Sequence, residues 1–361
     1  MTGGISSRRR GAAIDRRRLT ILLIAAILST AALVVIAVIA TPLAAAGWLI
    51  GIYYVGAIPL GSLALLMIHR LTGGGWGEAI RPLIVPAAAC LPLLALLFIP
   101  ILIAQPVLYP WFAGASQVKP GVAHLYLNGW LFTARALVAF VGWSALALIL
   151  PRTSGRAGQL LAAFGLVFYA VSISLVSVDW VLSAEPVFIS TSFGASIAFM
   201  QLLAALAFAA LLAPADLEKQ SRRDVGGLML AVTLGLTYID FMAVLVMWYG
   251  DIPDKVNFFV ERDASPWKYI AAGAFVFSSV IPVLMLLLSR VRASRAALCF
   301  VAGSILAGLA LYVAWLLAPA YGPWSLATAA LATIALTCAF LALLSTDWPT
   351  ALLYRARTTH D

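Results

Sequence analysis

Apolar residues arrive along this chain in runs of about twenty instead of alternating with polar ones, and the runs repeat almost from end to end. A helix needs roughly 20 residues to cross ~30 Å of hydrocarbon at ~1.5 Å per residue, so each run is a candidate membrane span. The pattern predicts ten, at about 19–41, 46–69, 82–104, 130–150, 158–180, 193–213, 226–249, 268–289, 297–317 and 325–345. Their interiors are rich in Ala, Leu and Gly and lack the period of two that a membrane barrel requires. The fold class expected is therefore an all-α polytopic membrane protein. A basic tail at 1–18, a membrane domain over 19–345 and a second tail at 346–361 complete it. The first run follows RRRLT and precedes small residues, as a signal peptide does. Its core is longer than such a signal needs, so it reads as a retained helix.

Composition agrees. Of 361 residues 63% are hydrophobic and 10% charged, against about half and about a quarter in a soluble domain. The net charge of +9 would suggest nucleic acid if the cations were scattered, but they are not. With the N-terminus in the cytoplasm, that side collects Arg8, Arg9, Arg10, Arg16, Arg17 and Arg18, then Arg70 and Arg81, then Arg152 and Arg156. It also collects Lys219, Arg222, Arg223, Arg290, Arg292, Arg295, Arg355 and Arg357. The other side keeps Lys119, Lys255, Arg262 and Lys268, with Arg135 just inside the fourth span. The positive-inside rule then predicts a bacterial inner-membrane protein with both termini cytoplasmic. Nucleic acid drops out as a partner, and membrane lipid remains. On the outer side the connections 105–129 and 250–267 are rich in aromatics and proline, and read either as docking surfaces for another protein or as caps on the bundle.

Redox groups find few ligands. The histidines are His69, at the cytoplasmic end of the second span, His124, in an outer loop, and His360, beside the C-terminus, so no two are expected to face each other across a haem. Cys90, Cys299 and Cys338 stand singly in apolar helices without a CxxC pattern. The GGG at 73–75 lacks the Lys-Ser/Thr of a phosphate loop. No metal or covalent cofactor is expected on this chain, nor a nucleophile with its base.

The polar residues inside the apolar runs carry the candidate chemistry, because a charge at mid-membrane costs roughly 2.5–3.5 kcal/mol on insertion scales and persists where it is paired or functional. Asp240 lies near the middle of the seventh span, with Thr237 and Thr233 on its face at helical spacing. It reads either as a group that takes up and releases protons or as a protonated packing residue. Asp179 ends the fifth span, and Glu185 follows one short turn later. Arg135 is a natural counter-charge for either, so the seam reads as an ion pair, a proton exit or ligand-side contact, or plain solvation. His69 reads as a proton-uptake group or an interfacial residue.

Several stretches resemble a known family. HRLTGGGWGEAIRP at 69–82, the later LYPWF, DWVLSAEPVFISTSFG at 179–194, the Tyr238-x-x-Phe241 helix and WYGDIPDK at 248–255 are similar to segments of ActF-type integral membrane subunits of alternative complex III. Those subunits belong to the wider NrfD/polysulfide-reductase membrane-subunit group. The resemblance covers most of 45–290 and implies two four-helix bundles, at about 46–180 and 193–317, flanked by the first and last helices. It implies a subunit of a quinol-oxidising respiratory complex, beside a homologous membrane subunit, iron–sulfur and multihaem cytochrome c subunits carrying the haem, and a terminal oxidase in some assemblies. Where the family carries Ser-Gln after its Tyr-x-x-Phe, this chain has Met242 and Ala243, with Asp240 just before. Quinone or quinol contact and proton conduction are the roles expected, with Asp240, Asp179, Glu185, Arg135, His69, Tyr238 and Thr237 as the residues. A proton-coupled secondary transporter and a purely structural anchor are the rival readings, Pro59 and Pro92 near mid-span favouring the first.

Overall fold

The protein is described from a computed structural model over residues 16–113, 126–185, 188, 190–250 and 253–346. Lys119, His124, His360 and most of both predicted tails lie outside those residues. Among the described residues ten helices are long and apolar enough to cross a membrane: α1 Arg16–Ile39, α2 Thr41–Thr72, α3 Gly75–Ile103, α4 Gly129–Arg152, α5 Gly155–Ala184, α6 Phe193–Leu212, α7 Lys219–Gly250, α8 Trp267–Leu286, α9 Arg295–Tyr321 and α10 Ser325–Leu344. The described residues contain no strand. This is the all-α polytopic membrane protein that the apolar runs predict.

Helices α2 to α5 pack as one group and α6 to α9 as a second, with α2 and α6 pressed together at the centre and α10 and then α1 laid along α2. Gly61 makes the central contact possible, since a Cβ there would lie 1.8 Å from the Gln201 carbonyl oxygen of α6. Small residues are how membrane helices bring backbones together where no hydrophobic force separates helix from lipid.

Two helices depart from regularity. Pro92 and Pro100 stand where α3 breaks into Gly75–Ala88, Leu91–Leu97 and Ile99–Ile103, because a proline ring removes a helical hydrogen bond and crowds the preceding turn, while Pro82 and Pro86 lie within the first of these segments. In α8 the turn Val276–Val280 is a π-helix. Ser304 of α9 donates to the Phe277 carbonyl there at 2.8 Å, supplying a donor where the wide turn loosens the ladder.

The two faces differ. Arg70, Arg81, Arg152, Arg156, Arg222, Arg223, Arg290, Arg292 and Arg295 gather at one, the basic face. At the other, Trp130, Trp248, Tyr249, Tyr269 and Trp324 are strongly exposed at helix ends, the arrangement of an aromatic belt at headgroup level. The 250–267 connection there contains a helix, Pro253–Arg262, whose Phe258 stacks on Phe188 at 3.9 Å between ring centres. This part of the connection caps the bundle.

Candidate functional site

Asp179 sits in the last turn of α5, wholly buried. Arg135 of α4 meets it as a fork, Nε to Oδ2 at 2.6 Å and Nη2 to Oδ1 at 2.9 Å, and also donates to the Tyr126 carbonyl at 3.0 Å. The guanidinium lies over the Tyr126 ring, 4.0 Å from its centre. Burial, and then the negative charge of Asp179, push the Tyr126 hydroxyl up to about 12, so it stays a hydrogen-bond donor.

Glu185 does not share Arg135. Its Oε2 takes a hydrogen bond at 2.8 Å from Nη2 of Arg262, a side chain from the far end of the sequence-distant cap. Arg262 is 2% exposed and also donates to the carbonyls of Phe258, Trp315 and Leu316, while its guanidinium covers the Phe258 ring at 3.5 Å. The carbonyls at the end of α9 attract the cation, as helix C-termini do. Burial pushes the Glu185 carboxyl above its ordinary value with Arg262 opposing, and burial likewise lowers Arg262. The expectation that Arg135 serves either acid is thus corrected to two separate pairs, because Glu185 has turned out of the α5 axis into a short 3-10 turn and faces the cap.

Asp240 has different company. Its Oδ1 accepts hydrogen bonds from Ser196 of α6 and from Tyr312 of α9, the latter at 3.3 Å. Those two hydroxyls are themselves 3.1 Å apart. No cation pairs with Asp240 among the described residues. Thr237, one turn earlier, donates to Ser279 in the π-turn at 2.9 Å, so it lies beside the Asp240 cluster and faces α8 instead of sharing partners with it. Thr233 is fully buried, with a hydroxyl that has no protein partner. Tyr238 stands apart from Asp240: it is 63% exposed on the outside of the bundle, since two residues back along a helix is ~200° around the axis.

Asp240 lines a cleft of ≈ 90 Å³ with Ser190, Ser192, Ser196 and Tyr312, walled by Phe188, Phe258, Phe259 and Trp315. The indole N–H of Trp315 is buried without a protein partner. Since Arg262 stacks on Phe258, the Glu185 pair and the Asp240 cleft share a wall. His69 stands apart at the end of α2, with Nε2 2.9 Å from the Gly74 carbonyl and 4.0 Å from Glu78.

The chain matches no protein-family model and no curated protein. Ser196, Tyr312 and Arg262 were not among the expected site residues. The signal for the first two was faint: a hydroxyl in an otherwise Ala- and Leu-rich run, and a tyrosine in the ninth span.

Proposed function

We propose that the chain is a membrane subunit of a quinol-oxidising respiratory complex of the alternative complex III kind, and that the Asp240 cleft contacts the quinol ring or passes on its protons. The observation that carries this reading is the pairing in one aromatic-walled cleft of a carboxylate bonded only to hydroxyls with a tryptophan whose N–H lacks a protein partner. A flat dihydroxy ring asks for such a place: aromatic faces to stack on, an acceptor for its O–H and a donor for its oxygen. Oxidation of a quinol releases protons with its electrons, so a carboxylate at hydrogen-bond distance serves as the base. The electrons leave through haem and iron–sulfur centres on partner subunits. The basic face lies in the cytoplasm in this reading, which puts the cleft, the cap and both ion pairs toward the outer side. The resemblance of 179–194 and 248–255 to the family's segments adds to it.

The test is Asp240→Asn in the assembled complex. Quinol turnover falls ~100-fold, the size of a lost general base, while assembly persists. Unchanged turnover and proton yield would remove Asp240 from the mechanism. Co-purification of iron–sulfur and multihaem c subunits with the wild-type chain checks the complex itself.

A further inference from the structure

A second polar hollow lies at the basic face, away from the cleft. It holds ≈ 200 Å³ between the end of α2, the start of α3 and the end of α4. Its polar lining is His69, Arg70, Arg81 and Glu78, and Leu66 and Leu150 are part of its apolar wall. Two guanidinium groups and an imidazole thus face a single carboxylate. That carboxylate does not satisfy them: Glu78 is 3.8 Å from Arg81 and 4.0 Å from His69, both beyond hydrogen-bond length, and its side chain is 66% exposed. Arg81 makes no hydrogen bond among the described residues.

Arg70 is already fixed in place. One nitrogen, Nη2, donates to the carbonyls of Leu150 and Thr153 at 3.1 and 2.8 Å, so the cation is held against the α4–α5 turn before any ligand arrives. A guanidinium fork set in advance loses little freedom on binding an oxyanion. The His69 ring is fixed too, edge-on to Trp76 and pressed against Gly77, where a Cβ would lie 2.0 Å from its Cδ2.

We infer that this hollow binds the phosphate group of an anionic phospholipid, with Arg70 and Arg81 as the oxyanion ligands. Three observations favour a lipid as the source of the phosphate. The hollow sits where apolar spans give way to charged turns, which is headgroup depth. Its deeper wall is leucine, suited to a glycerol backbone and the start of an acyl chain. The apolar Ile149, next in sequence to the lining residue Leu150, is 48% exposed at the same end of α4, at the depth where a lipid tail would run. Basic pockets between helices on a cytoplasmic face are the usual seat of such headgroups. The inference is independent of the quinol reading, because no residue of the cleft takes part.

The experiment uses the purified full chain in detergent, or the complex it purifies with. Thermal melts are recorded with added phosphatidylglycerol, phosphatidylcholine or inorganic phosphate, and retained lipid is counted by native mass spectrometry. Phosphatidylglycerol should raise the melting temperature more than phosphatidylcholine does. Arg81→Gln should weaken that lipid's binding about fivefold and lose one retained molecule, with Arg223→Gln, on the same face, unaffected. Arg81→Lys keeps the charge without the fork and should fall between them, which distinguishes lost binding from lost folding. Equal shifts from both lipids, or an Arg81→Gln protein that keeps the phosphatidylglycerol increment, overturn the site. Reproduction of the full shift by inorganic phosphate alone overturns the lipid as its source.

Discussion

The seam at the end of α5 and the middle of α7 solve the same difficulty in opposite ways. At the seam each acid is given its own guanidinium: the buried Asp179 a two-pronged grip from Arg135, the half-buried Glu185 a contact with Arg262 that also caps α9. In α7, Asp240 receives two hydroxyls and, among the described residues, no cation. A paired carboxylate that loses its charge strands its partner. One held by neutral donors can gain or lose a proton and leave nothing behind unpaired. In the function proposed above, structure and chemistry are divided between acids that look alike in the sequence.

That contrast breaks most visibly at Asp179. Asp179→Asn leaves the Arg135 guanidinium buried against a neutral amide, and the fold should lose about 3–5 kcal/mol, read as a lower melting temperature or failed assembly. Asp179→Leu combined with Arg135→Met should recover most of it. If the single variant melts like wild type, the seam is not the structural half of the pair. Asp240→Asn, by comparison, should change stability by only about 1 kcal/mol, since the amide oxygen still accepts from Ser196 and Tyr312. Its effect belongs in the turnover assay instead.

Glu185 sharpens the comparison through pH. Its folded value is raised, so folding favours the protonated acid. The stabilisation is fully present below the ordinary value of 4.5 and is lost as pH rises through the raised folded value. Glu185→Gln should flatten that part of the melting-temperature profile, and a slope that persists in the variant assigns it to another group. Smallest of all is Tyr238→Phe, which should leave stability within ~0.5 kcal/mol and turnover intact, because the hydroxyl points out of the bundle's contacts.

Much of this fold was legible because a membrane imposes one rule, continuous apolar length, that a sequence displays openly. The ends were less so. Helix α7 begins at Lys219 and not near 226, and α3 at Gly75 and not near 82, since helices run on into water where charged and small residues carry no hydropathy signal. Pairing was partly legible. Arg135 lies near the start of α4 and Asp179 near the end of the neighbouring α5, so depth could match them, whereas Arg262 lies 77 residues from Glu185 in a connection outside the apolar spans. Tyr238 shows the limit of motif spacing, which places a residue on a helix without saying which neighbours that helix has. Ser196 and Tyr312 mattered only once three helices were brought side by side.

The Gly61 contact has a mechanical consequence. With the backbone of α2 seated on the carbonyl of Gln201, the two groups of helices touch at Gly61 with no side chain between them at that point. A carrier that opens to each side in turn needs its halves to swivel at that plane. This molecule has keyed its halves together there, which suits a stationary partner that lets small cargo pass through it more than one that moves to carry it.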